Sequence, residues 1–505
     1  MSAEGTVIHA LAKGADDAPA IGAPERAALT FAGLRALCTD VVVGLNSRGI
    51  GPGDRVAIVL PNGPEMATAF AAIACGAATA PLNPAYRAEE FEFYLSDLKP
   101  KALVLQKGDD TPARTVAEKL NIAVIELVPG DGAAGDFTLS GLAAGGAPRW
   151  SGPDDVALIL HTSGTTSRPK MVPLSNRNVI ASAGNIGRFL ALTPADRCLN
   201  IMPLFHIHGL IAAVLSSLAA GASVWCAPGF NALRFFTQMD EVAPTWYTAV
   251  PTMHQAILGR AGRNKEIIAR RPLRLIRSSS SSLPPQVMAE LEATFGCPVI
   301  ESYGMTEAAH QMAANPLPPA PRKPGTVGIA AGPEVAIMSE EDGTLLPPGA
   351  TGEIVIRGPN VTKGYLENPS ANATAFTDGW FRTGDQGMFD ADGYLSITGR
   401  LKEIINRGGE KISPREVDEV LMDHPAVAQA VTFAVKHAKL GEEVGAAIVL
   451  REGQSATDRE IRDFVAGRVA DFKVPRHLVI LDEIPKGATG KLQRIGLAAK
   501  LGLES

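Results

Sequence analysis

The sequence predicts an α/β protein: a large N-terminal domain with two parallel-sheet layers, a small β-barrel-like subdomain attached to it, and a small α+β domain at the C-terminus. Short continuous apolar runs alternate with helical patterns from Arg55 to about Ser302, the pattern of parallel strands covered on both faces by crossover helices. Between Gly325 and Arg400 the pattern changes to closely spaced strands and turns, as small antiparallel barrels require. The length, 505 residues, exceeds what one compact core supports, so at least two domains are expected.

Taken in order, RVAIVL (Arg55–Leu60) is a strand followed by a helix from Glu65 through Ala74, and KALVLQ (Lys101–Gln106) is followed by a helix across Ala113 to Leu120. DVALIL (Asp155–Leu160) leads into a polar loop and then a helix beginning near Ser175, so the loop reads as a turn from strand to helix. The apolar run Leu210–Ala227 is broken by serines and a glycine; a buried helix followed by a strand explains it better than a membrane span. TWYTAV (Thr245–Val250) and LRLIR (Leu273–Arg277) are strands, each followed by a helix that starts at proline. EIVIRG (Glu353–Gly358) and DADGYLSITG (Asp390–Gly399) belong to the antiparallel part. The last segment has a helix from Pro414, strands at AVTFAV and AAIVL, a helix from Asp458 and a strand near Val479. The boundary falls at Lys402, dividing the chain into residues 1–401 and 402–505.

Composition narrows the function. A formal net charge of -6 gives no support for nucleic acid or an anionic membrane as partner. Five scattered cysteines without CxxC spacing argue against a zinc site or a disulfide framework. The N-terminal residues lack a basic start followed by a long apolar core, and the chain does not end in SKL, so a cytoplasmic location is expected.

The chemistry is concentrated in a few motifs. HTSGTTSRPK (His161–Lys170) gathers the hydroxyls of Thr162, Ser163, Thr165 and Thr166 around Gly164 and adds Lys170, all capable of donating to phosphate oxygens. It is not a Walker A loop, which needs a second glycine before the lysine and a Ser or Thr after it; here Met171 follows. By itself the loop is equally well read as an ordinary polar turn. ESYGMTE (Glu301–Glu307), GWFRTGD (Gly379–Asp385), GRLKEIINRGGEKISPREVD (Gly399–Asp418) and PKGATGKLQR (Pro485–Arg494) follow in order.

Together these motifs resemble the signatures of the adenylate-forming superfamily of acyl-CoA synthetases, luciferases and adenylation domains, over essentially the whole chain. The resemblance implies activation of a carboxylic acid by ATP, with Mg²⁺ and with coenzyme A as co-substrate, through an acyl adenylate. It assigns the loop Thr162–Lys170 to the β- and γ-phosphates, Thr306 to the α-phosphate and Glu307 to Mg²⁺. Glu301 and Tyr303 then lie on the adenine side, and Asp385 and Arg400 at the ribose hydroxyls. Lys491 matches the lysine that reaches the carboxylate and α-phosphate from the C-terminal domain. Lys402 matches the hinge of a mobile domain, and Gly408 and Gly409 the loop that meets the CoA thiol. Lys473 or Arg476 are candidates for the CoA phosphates by charge alone. His206 resembles a widely shared aromatic gate. The family usually has glycine where Met171 stands; a side chain there is expected to narrow the phosphate loop, to slow turnover or to be accommodated without effect, and if the family geometry applies Met171→Gly is expected to raise ATP turnover.

Within the superfamily, MTEAAHQM, NPLPP and IRGPNVTKGY resemble the oxalate-activating branch. Malonate-activating relatives carry arginine where this chain has Ser302. A small diacid needs donors close to the reacting carbon, and His310 with the serine run around Ser280 and Ser281 offers them. A short or medium fatty acid, malonate or an aromatic acid is the alternative substrate.

Overall fold

The computed structural model describes residues 4–143, 145–162, 169–485 and 493–503. A seven-stranded sheet joins the parallel strands Arg55–Val59, Ala78–Pro81, Ala102–Gln106, Ala123–Pro129 and Val156–His161, with antiparallel strands at its edges. A nine-stranded sheet has a parallel centre of Arg197–Asn200, Ser223–Cys226, Trp246–Ala249, Leu275–Ser279 and Val299–Met305. Helices Phe31–Ser47 and Pro64–Ala74 and the π-helical segment His208–Leu215 contribute to one continuous core that also takes side chains from both sheets. Pro64–Ala74 is buried on all sides except at Glu65, which suits a helix covered all round rather than an amphipathic surface helix.

The phosphate-loop motif departs from the expected strand-to-helix turn. Met171–Ser175 forms a strand antiparallel to Val156–His161, with His161 opposite Met171, so the loop closes a hairpin. The helix Asn176–Phe189 starts only afterwards, with Ser175 and Asn178 forming a reciprocal cap. Pro173 obscures this strand in the sequence; it is tolerated because Met171–Ser175 is the edge of its sheet, where a missing N–H costs no ladder bond. The Met171 side chain is buried in the apolar cluster that includes Leu82, Phe91 and Ile159. The expectation that it narrows the phosphate loop is therefore replaced by a packing role.

Residues 334–400 form a five-stranded antiparallel sheet. A second five-stranded sheet follows from Ile405 onward, with helices Pro414–Met422 and Asp458–Ala466 sharing its apolar core. Lys402 is exposed in the short link between the two. The C-terminal part touches the rest through Gln255 Nε2, which donates to Ala428 O at 3.2 Å, and through the pairs Gln286–Asp423 and Arg415–Ser282.

Candidate active site

The parallel strands of the nine-stranded sheet deliver their C-terminal ends to one edge, where α/β proteins bind ligands. Strand Val299–Met305 brings Glu301 and Tyr303 there, and the tight turn Thr306–Ala308 follows. From the antiparallel sheet come Asp385 and Arg400, direct cross-strand partners. The Asp385 carboxylate accepts from the Tyr303 hydroxyl and stands 3.2 Å from Arg400 Nε. Asp385 holds the Arg400 guanidinium above its usual range, while burial drives the Tyr303 phenol up. The structure thus brings three residues named from separate motifs into one cluster.

A second cluster lies beside it. Glu307 is buried, and burial raises its carboxyl; its Oε1 accepts from the Tyr365 hydroxyl at 3.0 Å. Lys170 Nζ sits 4.4 Å from the centre of the Tyr365 ring, a cation–π contact. Tyr365 therefore joins the loop lysine to the acid of ESYGMTE. Thr162 and Lys170 close the mouth of the hairpin, with Thr162 N–H donating to Lys170 O at 2.9 Å. Among the described residues no group of three or more acids, histidines or cysteines could cage a metal alone. A single buried carboxylate is nevertheless what Mg²⁺ needs when phosphates supply other ligands.

Glu301 is held differently. Its Oε1 accepts from Leu283 N–H at 2.9 Å, which anchors the serine loop, while Oε2 has no partner among the described residues. Burial pushes the carboxyl up to about 7, partly offset by Leu283 and by Arg415 of the C-terminal domain.

A third cluster centres on Arg277, on strand Leu275–Ser279, whose side chain is fully buried. Its contacts are all long: Nη1 to Thr248 Oγ1 at 3.4 Å and His208 Nε2 at 3.5 Å, Nη2 to Gln311 Oε1 at 3.3 Å and His310 Nδ1 at 3.4 Å. Nε has no partner, and among the described residues no carboxylate offsets the charge. Burial pushes the guanidinium down to about 9, which leaves it charged at neutral pH. His208 Nε2 is 2.6 Å from Thr248 Oγ1 and its Nδ1 is 3.0 Å from Ser280 Oγ, with the His310 ring edge-on at 5.0 Å. Ser280 (φ +74°) and His310 (φ +106°) occupy left-handed backbone that costs side-chain-bearing residues about 1–3 kcal/mol each. Such strain persists only where the surroundings enforce it. Gly304 is part of that enforcement: a Cβ there would lie 2.0 Å from His310 O.

The remaining expected residues fall into three groups. Ser281 is exposed next to Ser280, and His206 is half-buried, its Nδ1 accepting from His208 N–H at 3.3 Å. Gly408 and Gly409, both at positive φ, make the two-residue turn between Ile405–Arg407 and Glu410–Ile412, a conformation that favours glycine. Gly409 borders a cleft of about 660 Å³ together with Gln386, the neighbour of Asp385. Lys473 and Arg476 are already paired, with Glu416 at 2.6 Å and Asp471 at 2.7 Å. Ser163, Gly164, Thr165, Thr166 and Lys491 lie outside the described residues.

Sequence reasoning overlooked Arg277, His208 and Tyr365. Arg277 had a visible signal, a cation at the end of an otherwise apolar central strand, LRLIR. Tyr365 stood inside the motif IRGPNVTKGY and His208 two residues past His206, but nothing in their spacing distinguished them from core residues.

Comparison with known proteins accounts for this arrangement. The AMP-binding enzyme model matches residues 8–366, and the AMP-binding enzyme C-terminal domain matches residues 416–491. An oxalate–CoA ligase of Arabidopsis thaliana is 48% identical, covering 93% of this chain and 95% of the relative. An oxalate–CoA ligase of Saccharomyces cerevisiae is 42% identical over 87% of this chain and 86% of its own. Among solved structures, ATP-bound MatB from Rhodopseudomonas palustris superposes with a TM-score of 0.88 at 31% identity, covering 97% of both chains; the apo form of that protein gives 0.80 at the same identity and coverage. The chain belongs to the AMP-binding enzyme family.

Proposed function

We propose that this protein is an oxalate–CoA ligase, converting oxalate, ATP and CoA to oxalyl-CoA, AMP and diphosphate. It is an AMP-forming acid–CoA ligase, and the choice of acid rests on one observation: a fully buried Arg277 with no carboxylate among the described residues to balance it, next to His208, His310 and Ser280. An unpaired buried charge costs several kcal/mol, so an anionic partner at this place recovers a penalty already incurred. A fatty or aromatic acid has no second anion to offer. The two oxalate–CoA ligase relatives support the same choice.

In the first half-reaction one oxalate oxygen attacks the α-phosphorus, and the bond to pyrophosphate breaks. Thr306 and Lys491 meet the α-phosphate, Lys491 neutralising charge as the two anions approach. The loop from Thr162 to Lys170 grips the departing phosphates, and Asp385 and Arg400 hold the ribose with Tyr303 and Glu301 on the adenine side. Glu307, with phosphate oxygens, is the fitting holder for Mg²⁺, which offsets phosphate charge when bound. In the second half-reaction the CoA sulfur attacks the acyl carbon, the thiol gives up its proton, and AMP leaves with the former carboxylate oxygen. The reading has residues 402–505 rotate about Lys402 between the halves, withdrawing Lys491 and bringing up Gly408 and Gly409, with His206 gating the acyl carbon. The better match to the ATP-bound than to the apo relative supports assigning the present arrangement to the first half. No helix among the described residues is long and apolar enough to cross a membrane. The proposed compartment is the cytoplasm, a reading supported by five free, buried cysteines.

Acid-dependent exchange of labelled pyrophosphate into ATP tests the assignment. Oxalate is expected to exceed malonate, propionate, octanoate and coumarate by at least about tenfold in kcat/KM, a difference of about 1.4 kcal/mol. Any of these acids outperforming oxalate would overturn the choice of substrate.

A further inference from the structure

We propose that Arg277 is a positioning residue that sets the tautomers of His208 and His310, so that both arms of the acyl pocket end in hydrogen-bond donors aimed at the far carboxylate of the acid. The inference deepens the oxalate reading and rests on it for the identity of the acid.

Hydrogen-bond direction fixes the proton on each ring. A guanidinium carries five N–H donors and no acceptor. Nη2 lies against His310 Nδ1, so that nitrogen must present its lone pair, and the ring proton resides on Nε2. On the other arm Nη1 donates to Thr248 Oγ1, which directs the Thr248 hydroxyl proton to His208 Nε2, 2.6 Å away. Nη1 also faces that nitrogen directly at 3.5 Å. With Nε2 accepting, the His208 proton sits on Nδ1 and donates to Ser280 Oγ at 3.0 Å. Ser280 Oγ, occupied as an acceptor, turns its own proton outward. One donor-only group thus polarises two chains, Arg277–His310 and Arg277–Thr248–His208–Ser280, each delivering a donor.

Such a pocket discriminates between isosteres. Oxalate offers only acceptors at its far end, whereas oxamate replaces one oxygen with an NH₂ that needs an acceptor. A donor facing a donor leaves both buried and unsatisfied, the situation that polar sites use to reject close analogues. A lysine at 277 retains the charge, but its compact ammonium does not span both chains as a planar fork does.

The test uses the full-length protein and the Arg277→Lys variant. Nitrogen NMR of imidazole-labelled protein without any acid reads the tautomers directly, with His208→Gln and His310→Gln identifying the signals. Wild type is expected to show His208 as the Nδ1–H form, the minor tautomer of free imidazole side chains, and His310 as the Nε2–H form. In Arg277→Lys at least one of these signatures is lost. The preference for oxalate over oxamate in pyrophosphate exchange falls at least tenfold, through KM for the acid rather than KM for ATP. Thr248→Val, nearly isosteric, removes the relay and leaves His208 only the direct 3.5 Å contact with Nη1, so the His208 signature is expected to weaken while the His310 signal stays intact, which keeps the inference testable should Arg277→Lys not fold. Unchanged tautomers in a folded Arg277→Lys or in Thr248→Val, or an undiminished oxalate preference in Arg277→Lys, overturns the inference. Wild type inactive with oxalate but with the predicted imidazole signals overturns the choice of acid instead, and leaves the positioning role standing.

Discussion

Around Asp385, each charge already has company. Arg400 Nε stands 3.2 Å from Asp385, and Lys170 rests on the ring of Tyr365, whose hydroxyl donates to Glu307. Around Ser280 the reverse holds: Arg277 has four stretched contacts, and among the described residues its Nε has no partner and no carboxylate offsets its charge. Glu301, one register position along on the next strand, does not supply one. Arg277 pairs with Ile300 and Ser278 with Glu301, so the two charged side chains project to opposite faces of the sheet. On the proposed reading, the cluster around Asp385 is a preassembled, internally balanced nucleotide frame that serves any acid. The cluster around Arg277 is then an acyl pocket left electrostatically incomplete until its substrate arrives.

The strongest way to break that division is Lys491→Ala. If the nucleotide half is a separate machine completed by this lysine, acid-dependent pyrophosphate exchange falls by about 10²–10³-fold, roughly 3–4 kcal/mol of transition-state stabilisation. Thioester formation from supplied acyl adenylate and CoA stays within a few-fold of wild type. Comparable losses in both half-reactions would mean that the lysine does not leave between them.

Met171→Gly asks to which region the phosphate hairpin belongs. The side chain sits in the apolar cluster with Phe91 and Ile159, away from the loop mouth at Thr162 and Lys170. Removing it leaves a cavity and frees the backbone, which costs about 3 kcal/mol of stability. Denaturant unfolding checks this, and ATP turnover at low temperature is expected not to rise. A faster enzyme of unchanged stability would return Met171 to the phosphate loop.

The two regions also differed in how legible they were in the sequence. Tyr303, Asp385 and Arg400 were named from motifs far apart in the chain, and the structure joins them, because short motifs at sheet ends carry their role in their order. Ser280 and His310 were named from the need for donors near a diacid, but the residue that links them was not. Arg277 was counted as part of a strand, because periodicity tells which face a side chain takes and not what it meets there. The strand Met171–Ser175 was missed for a related reason: Pro173 argues against a central strand, and only the sheet order shows that this one lies at an edge. Proline at the first helical position marked the helix starts at Pro251, Pro285 and Pro414, since that signal depends on neighbours in sequence alone.

Glu301 sharpens the comparison as a buried carboxylate that makes no ion pair among the described residues and is only partly offset by Arg415. Its carboxyl is pushed up to about 7 from 4.5, chiefly by burial. A raised carboxyl favours the folded state while it is protonated. That contribution is complete below about 4.5 and is lost as the pH rises through about 7. Glu301→Gln preserves the acceptor for Leu283 N–H and stays neutral, so thermal unfolding near pH 8 is expected to show the variant more stable, on the order of 1–3 kcal/mol. Near pH 5 the two proteins converge. A gain of equal size at both pH values would indicate that packing rather than charge sets the difference.

The smallest effect tests the link inside the nucleotide half. Tyr365→Phe keeps the ring on which Lys170 rests and removes only the hydroxyl that donates to Glu307 at 3.0 Å. That hydrogen bond opposes the upward push of burial on the Glu307 carboxyl, so without it the carboxyl rises further. A larger share of Glu307 is then protonated at a given pH, and the acid limb of the rate profile moves to higher pH. The Mg²⁺ concentration for half-maximal activity is expected to rise about tenfold, as loss of a partner behind a metal ligand commonly does. KM for oxalate should not change, because Tyr365 touches the balanced frame and not the pocket around Arg277. A parallel rise in both constants would show that the two regions share their electrostatics, and the separation between a common nucleotide frame and an acid-specific pocket would have to be given up.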